Sequence, residues 1–361
     1  MNFNDIVNIR LANQQIIRKD FNTPKDIVHW IGAMQAQDYH MAKWAIGVRL
    51  PTSTDKLVEK FIDYGEIIRT HVLRPTWHFV SSEDIYWMLA LTAPRVKATM
   101  KSRHRQLEIN AEVVSKSNSV IEKALLQGKH LTREELIAEL KKAKIATGDN
   151  RAAHLLMLAE LDGLICSGAP QGKKHTYALL EERVPYKNTF TKDEALAKLA
   201  QKYFASHGPA TLEDFVWWSG LSVKEARHAL EMTKSDFIAE VCNAKTYWLT
   251  HAYSISQNEK ESVHLLPSFD EFIISYKDRS AILTFEDHRK AVSNNGIFWP
   301  IIVINGQITG IWKRNIKKDK ILVETEFFKP LPNETKHSIA QKATAFGNFL
   351  GKKTEISHNT D

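Results

Sequence analysis

Apolar and polar positions in the middle of the chain follow an order that predicts short helices and then a hairpin. Thr211 and Ser222 are each followed by apolar residues at helical spacing and can cap a helix, because their hydroxyls accept from first-turn amides. Gly220 can end the first of these helices. The pattern around them predicts a longer helix at 193–206 and strands at 236–241 and 245–250. Three helices and a hairpin in this order are typical of a winged helix.

The same order occurs twice more, nearer the N-terminus. The second copy predicts helices that begin at 131 and 150 and strands at 164–167 and 176–180, joined by a loop that contains Gly-Lys-Lys. The first copy predicts helices at 24–34 and 55–64 and strands at 67–72 and 76–80. We therefore expect three tandem winged-helix (helix-turn-helix) units.

Beyond residue 262 the pattern becomes strand-rich. Strand-like runs occupy 272–276, 299–304, 309–312 and 321–325, and Asn305-Gly306 is a strong hairpin signal. A helix at 334–350 follows, and we expect the last ten residues to be frayed. The predicted fold class is α+β, with an antiparallel β-rich domain after the helical units. The predicted domain ranges are 1–105, 106–188, 189–255 and 256–361.

The composition is that of a folded protein without covalent staples. Of 361 residues, 43% are hydrophobic and 25% are charged, which argues against global disorder. Cys166 and Cys242 are the only cysteines and do not have C-x-x-C spacing, so the sequence predicts neither a disulfide framework nor a cysteine zinc site. No apolar run approaches the roughly 18–20 residues of a membrane span, and Asp5 and Arg10 interrupt any secretory leader. We expect a cytoplasmic protein without a membrane partner, and a monomer is the default.

The net charge of +7 permits nucleic-acid binding but does not require it. Between residues 92 and 107 the chain carries several basic side chains and no acidic one. Arg95, Lys101 and Arg103 are candidate contacts to DNA phosphates in this run. A solvated helix face explains the run equally well.

Familiar catalytic signatures are absent from the sequence. It contains no phosphate-binding glycine loop, no H-E-x-x-H and no G-x-S-x-G. The 15 histidines are scattered, so they predict no metal centre. We expect neither a metal nor a cofactor.

Gln35 and Gln37 are the candidate reactive groups that remain. Side chains two apart share a side of an extended segment but diverge on a helix, so the two amides converge only if the preceding helix has ended. From spacing alone, the simpler explanation is that these amides cap backbone carbonyls at the helix end.

Four blocks of sequence carry a family resemblance. The blocks at 35–38, 69–78, 265–271 and 276–279 resemble, in the same order, those of bacterial AlkZ-like winged-helix DNA glycosylases that unhook crosslinks. The resemblance extends over roughly residues 5–345. It implies three winged helices and a β-rich part around a basic concave surface for duplex DNA. It also assigns the family's catalytic signature, Gln-x-Gln or Gln-x-Asp, to Gln35 and Gln37.

The amide at position 37 narrows the chemistry that the resemblance implies. An amide is no proton acceptor near neutral pH, but it can orient a water and stabilise an oxocarbenium-like sugar. That suffices when the leaving base is already cationic, as in N7-alkylated purines. We expect a monofunctional glycosylase for such lesions, including bulky adducts or interstrand crosslinks in damaged double-stranded DNA. The alternatives are a non-catalytic DNA-binding regulator and a diverged family member with another lesion.

The first predicted hairpin holds further candidate contacts. Arg69, Arg74 and His78 nearly alternate along it and are candidates for phosphate contacts, with Arg74 the strongest. An equally good interpretation is that these three residues are exposed strand residues that only support the wing. Trp77 is a candidate for stacking on a nucleobase, although an aromatic residue in such a strand is more often core.

Three carboxylates accompany these candidates. Asp38 adjoins the Gln pair and is expected to be a helper or a structural cap, because neighbouring side chains in extended backbone face opposite sides. Asp270 and Glu271 lie in an apolar context. We expect them to orient arginines rather than to catalyse.

Overall fold

The computed structural model describes residues 1–250 and 262–359. Its first segment is mainly helical and carries a small three-stranded sheet of order β1-β3-β2. Its elements are α1 (Phe3–Asn13), α2 (Pro24–Ile31), β1 (Ala33–Gln35), α3 (Tyr39–Arg49), α4 (Asp55–Asp63), β2 (Ile67–His71), β3 (Trp77–Ser81), α5 (Ile85–Thr99) and α6 (Lys101–Gln106).

Two further segments each consist of helices followed by an antiparallel hairpin. The second contains α7 (Ala111–Leu125), β4 (Leu131–Thr132), α8 (Arg133–Lys142), α9 (Arg151–Leu161), β5 (Ile165–Gln171), β6 (Lys174–Leu179) and α10 (Leu180–Arg183). The third contains α11 (Lys192–His207), α12 (Leu212–Ser219), α13 (Val223–Thr233), β7 (Phe237–Cys242) and β8 (Lys245–Thr250). The order of helices and hairpins agrees with the predicted order, and the assignment of these segments as winged helices stays a prediction.

Helix starts follow the capping chemistry that the sequence predicts. The side chains of Thr23, Thr211 and Ser222 each accept from the backbone amide three residues on, and the acidic residue there returns a bond to the cap. Such capping boxes satisfy two amides that would otherwise lack partners, and each cap contributes about 1 kcal/mol. Gly220 ends α12 at a φ of 69°, as predicted.

The fourth segment is a curled sheet packed against a long helix. Its elements are β9 (Val263–Leu266), α14 (Glu271–Ile274), α15 (His288–Ala291), β10 (Ile301–Ile304), β11 (Gln307–Ile316), β12 (Lys320–Phe327), α16 (Asn333–Leu350) and β13 (Lys353–Asn359). The sheet order is β13-β12-β11-β10-β9, with β12 and β13 parallel and the other neighbours antiparallel. The predicted Asn305-Gly306 hairpin and the predicted helix near 334–350 are confirmed.

Three predictions for this segment are wrong. The sheet was expected to be antiparallel, yet β13 runs parallel to β12, because α16 between them forms the crossover that parallel neighbours require. Residues 272–276 were expected to form a strand, yet Asp270 caps a short helix there whose residues are all buried. A short apolar run buried on every side has no periodicity that separates helix from strand. The tail expected to fray instead forms β13, because β12 supplies a row of hydrogen-bonding partners that no local pattern reveals.

The hydrophobic core joins the first and fourth segments. The indole of Trp44 on α3 packs against Phe346 and Phe349 of α16, with ring centroids 5.1 and 5.3 Å apart. Its Nε1–H donates to the carbonyl of Leu265 in β9 at 3.0 Å. A second cluster reaches from Ile68 through the second and third segments. The clusters thus cross the predicted domain boundaries, and the division into four ranges stays a prediction.

None of the helices in the described ranges is long and apolar enough to cross a membrane.

The hairpin glycine Gly306 is constrained both by its backbone conformation and by its packing. It has a φ of 77°, and a Cβ placed there would lie 1.8 Å from Val7 Cγ1 of α1. The turn therefore needs glycine both for its conformation and for the close approach of α1.

We expect Gly306→Ala to lower the free energy of unfolding by about 2–4 kcal/mol, since the left-handed conformation and the crowded methyl group each cost about 1–2 kcal/mol. Gly296→Ala is the control, because its φ is 74° and no heavy atom lies within 4 Å of its Cβ position. Thermal unfolding followed by circular dichroism should show the larger loss for Gly306→Ala. Equal losses in the two variants would contradict the packing argument.

Candidate active site

The Gln-Ala-Gln motif lies in extended backbone directly after a helix. Gly32, at a φ of 90°, ends α2, and the chain continues as β1, in which Gln35 pairs with His78 of β3. The predicted helix at 24–34 is thus too long, because Gly32 turns the chain into the sheet. The prediction that the motif follows the end of a helix is confirmed.

The two glutamine side chains differ in their surroundings. Gln35 is only 6% exposed, and its Oε1 accepts from the backbone N–H of Gln37 at 3.1 Å. Gln37 is exposed. The capping alternative named backbone carbonyls as partners, whereas the described contact of the Gln35 side chain is with a backbone N–H. The arrangement fixes the backbone at Gln37 and leaves the Gln37 amide free to meet a ligand.

Other groups hold the motif backbone in place. The N–H of Ala36 donates to the carbonyl of Trp77 at 2.7 Å, and its carbonyl accepts from Nε of Arg69 at 3.1 Å. The N–H of Gln35 donates to Oε1 of Glu271 at 2.7 Å. The contacts come from the β2–β3 hairpin and from α14, so two elements distant in sequence hold the motif backbone.

Glu271 is a buried carboxylate with several polar partners. Besides Gln35, it accepts a hydrogen bond from the hydroxyl of Ser275, and Nε2 of His207 lies 3.8 Å from its Oε2. Burial by itself raises the pKa of Glu271, but its contacts with His207, Ser275 and Gln35 outweigh burial and lower the pKa to about 2. The carboxylate is therefore ionised when it holds the motif.

The neighbouring carboxylate, Asp270, forms the arginine pair that the sequence predicts. Its two oxygens accept from Nη1 and Nη2 of Arg49 at 2.8 and 2.9 Å, with both side chains fully buried. The same guanidinium bonds to Gln14 and to the carbonyl of Ala45. For Glu271 the same prediction meets only a charge interaction with Arg74, and its carboxylate accepts a hydrogen bond from the backbone N–H of Gln35.

A cleft of about 160 Å³ opens beside Gln37. Its other lining residues are His71, Pro75, Trp77, Arg133, Ala153, Met157, Glu160 and Tyr177. Several of these come from the second segment, so no single segment builds the cleft. Within the described residues, no group of three or more His, Cys, Asp or Glu could hold a metal ion.

Glu160, His71 and Trp77 form a polar cluster in the cleft wall. The carboxylate of Glu160 on α9 accepts from Nδ1 of His71 and from Nε1 of Trp77, the latter at 3.3 Å. The rings of His71 and Trp77 are 4.6 Å apart, and the guanidinium of Arg69 lies 4.5 Å from the Trp77 ring. Sequence reasoning missed Glu160, since 89 positions separate it from His71 and no local motif marks it.

The hairpin residues are less accessible than the sequence suggests. Arg69 and His78 are 6% and 1% exposed, so the expectation of exposed strand residues is wrong for both. Both faces of this small sheet are covered by neighbouring elements. Burial, with Arg74 nearby, lowers the pKa of His78 to about 3, so the imidazole is neutral. Arg74 is half-buried, and within the described part of the chain its Nε has no hydrogen-bond partner.

The remaining predicted residues lie outside the cleft lining. Asp38 caps α3 through the N–H of Met41 and forms an ion pair with Arg314 of β11 at 3.0 Å. It therefore has the contacts of a structural cap. The three basic residues of the 92–107 run are exposed on α5 and α6; they are Arg95, Lys101 and Arg103.

Comparisons with known proteins agree on one kind of relative. Residues 28–349 match the family described as DNA glycosylase AlkZ-like. The interstrand DNA cross-link repair glycosylase of Streptomyces sahachiroi is 23% identical over 333 residues, which cover 88% of each chain. The solved structure of the S. sahachiroi DNA glycosylase AlkZ superposes with a TM-score of 0.83 at 18% identity, covering 99% of this chain and 100% of that one. The fold is therefore that of the solved glycosylase.

We expect Glu271→Gln to lower the free energy of unfolding at neutral pH by about 1–3 kcal/mol, because charge-assisted bonds become neutral ones. The folded-state pKa of Glu271 lies below its ordinary value of 4.5, so its contribution is complete above pH 4.5 and is lost as the pH falls toward about 2. The stability difference from wild type should therefore shrink over that window.

Denaturation at several pH values measures this difference. Glu122→Gln, at an exposed position on α7, is the control and should stay close to wild type throughout. A difference between Glu271→Gln and wild type that is independent of pH would contradict the ionised state of Glu271.

Proposed function

Because the chain belongs to the AlkZ-like family of DNA glycosylases, enzymes that hydrolyse N-glycosyl bonds in DNA, we propose that its substrates are cationic N7-alkylated purines in damaged duplex DNA. The observation that carries this proposal is the exposed amide of Gln37 at the cleft, on a backbone that Gln35, Arg69 and Glu271 hold rigid. The reaction is monofunctional hydrolysis that leaves an abasic site.

In the proposed mechanism Gln37 binds the attacking water, and Gln35 acts as its positioning residue. A carbonyl dipole held at a fixed place can orient water and stabilise the positive charge that develops on the sugar. The alkylated purine leaves as a neutral base, so no strong general acid is needed. This division of labour replaces the expectation that both amides converge on the water, since Oε1 of Gln35 is bound to the N–H of Gln37.

We extend the proposal to bulky adducts and interstrand crosslinks. The name of the S. sahachiroi relative specifies interstrand cross-link repair, and 88% of each chain aligns with the other. Family membership places the chain among enzymes, so the interpretation as a non-catalytic regulator is not retained.

The proposed DNA contacts divide into two groups. The exposed residues Arg95, Lys101 and Arg103, and the half-buried Arg74, are proposed to contact phosphates, with the three winged-helix units as the scaffold. Trp77, half-buried in the cleft lining, is proposed to stack on a nucleobase. Arg69 and His78 are proposed to act on the substrate indirectly, because their contacts hold the Gln-Ala-Gln segment. We also propose that the protein is a monomer in solution.

We expect Gln37→Ala to lower the single-turnover rate of base release by at least about 100-fold, because a preorganised polar group at the reacting centre is lost. Affinity for DNA should be nearly unchanged, since Gln37 is one side chain of a much larger interface. The substrate is a duplex that contains N7-methylguanine, and alkaline cleavage reveals the abasic sites.

Gln341→Ala, at an exposed position on α16, is the matched control and should excise at the wild-type rate. Parallel losses of binding and excision in Gln37→Ala would assign Gln37 a structural role. No release by the wild type from N7-methylguanine or from bulkier N7 adducts would overturn the proposed substrate class.

The combined variant Lys101→Gln/Arg103→Gln is expected to flatten the salt dependence of DNA binding. When a phosphate contact is lost, fewer counterions are released on DNA binding. The magnitude of the slope of log K against log salt then falls by about 0.9 for each lost contact. Lys329→Gln/Lys353→Gln removes the same charge from exposed positions in the fourth segment and should change the slope less. Equal slopes for the two variants would contradict the proposal that α6 contacts DNA.

A further inference from the structure

The carboxylate–imidazole pair of Glu160 and His71 in the cleft wall contains a group that can accept a proton, which the glutamine amides cannot do. Glu160 is fully buried, and His71 is 3% exposed. The Glu160 carboxylate accepts from Nδ1 of His71, which fixes the proton on that nitrogen. Nε2 is then the ring nitrogen able to accept a proton. His71 lines the same cleft as Gln37, so a base and a water-binding amide border one space.

We propose that His71 is the proton acceptor for the water held by Gln37 and that Glu160 is its positioning residue. This inference rests on the proposed function and deepens it, because an amide can orient water but does not accept its proton near neutral pH. A carboxylate bound to the far side of the ring fixes the tautomer and stabilises the imidazolium that forms.

The reaction balances with the groups at hand. The C1′–N9 bond of the N7-alkylated purine breaks, and its electron pair neutralises the cationic base, which leaves. The water oxygen forms the new bond to C1′, and one of its protons passes to Nε2 of His71. The product is an abasic sugar with a C1′ hydroxyl, and the proton leaves the imidazolium to solvent. No co-reactant is needed.

Charged groups from several elements surround the pair. The Glu160 carboxylate favours both the alkylated base and the oxocarbenium-like sugar, whereas the guanidinium groups of Arg69 and Arg133 nearby oppose it. The other groups near the pair are Arg69, His78, Arg133 and Tyr177. His78 is neutral, and burial first, followed by Glu160, raises the pKa of Tyr177 above its ordinary range, so neither ring adds charge.

A purely structural role for the pair predicts different behaviour. Glu160 also joins α9 to the hairpin of the first segment, so its loss affects packing. A structural latch would change stability and rate without a dependence on the protonation of His71. The dependence of the rate on pH therefore separates the two roles.

The test is single-turnover release of N7-methylguanine from a duplex between about pH 5 and pH 9, where histidine titrates. A histidine base requires the wild-type rate to fall on the acidic side of this range. His71→Asn retains a donor toward Glu160 but no base, and we expect a rate about 10²- to 10⁴-fold lower with no acidic limb. Glu160→Gln should slow the reaction at least about tenfold and move the limb to lower pH.

His264→Asn, a buried histidine of β9 beside Ser262, is the control and should keep both the rate and the limb of the wild type. Thermal melting and DNA affinity establish that each variant is folded. If His71→Asn does not fold, the wild-type limb and its displacement in Glu160→Gln decide the question.

The outcomes separate the two proposals. A wild type that excises, with Gln37→Ala inactive but His71→Asn unchanged in rate and pH profile, overturns the role of His71 alone. A wild-type rate that is flat across the pH range does the same. A wild type that releases no base at any pH overturns the proposed substrate and this role together.

Discussion

A buried carboxylate links the candidate site to the part of the chain that follows it by 236 residues. Glu271 accepts a hydrogen bond from the backbone N–H of Gln35 and thereby holds the backbone of the Gln-Ala-Gln motif. Its neighbour Asp270 binds the guanidinium of Arg49. Burying ionised groups is costly unless every charge is paired and hydrogen-bonded. Because these carboxylates have such partners, the fourth segment can hold the first in one arrangement. The site geometry depends on this junction.

The rigid backbone around the motif gives two chemically identical side chains different environments. The amide of Gln35 is used within the protein, whereas the amide of Gln37 meets solvent in the cleft. An amide has no acid–base function near neutral pH. The Gln37 side chain can therefore promote the reaction only by being held where it orients the water. Contacts from β2, β3 and α14 determine that position. The second segment adds Glu160 and Tyr177 to the wall, so the cleft exists only in the assembled chain.

The cationic residues show how burial changes the meaning of a charge in sequence. Arg69 reads as an exposed strand residue, yet its guanidinium lies over the ring of Trp77 and bonds to the carbonyl of Ala36. Lys101 and Arg103 on α6 remain exposed. A buried guanidinium can fix a backbone, and an exposed one can release counterions on meeting DNA. The buried Arg69 therefore holds the backbone of the motif in place, whereas the exposed Lys101 and Arg103 of α6 are accessible to the phosphates of DNA.

Local chemistry is what the sequence determined by itself. The caps Thr211 and Ser222, the Asn305-Gly306 turn and the end of a helix before Gln35 follow from bonds between near neighbours, so short segments suffice to predict them. The resemblance to AlkZ-like glycosylases likewise rests on local blocks and agrees with the family match over residues 28–349.

Tertiary structure decided whatever depends on contacts between distant parts of the chain. Residues 272–276 read as a strand until burial on all sides and the cap at Asp270 select a helix, and the tail becomes β13 only beside β12. Neither the exposure of Gln37 nor the approach of Glu160 to His71 has a local signature. Burial and long-range pairing are properties of the packed chain, so the environment of each candidate residue was set only when its segments came together.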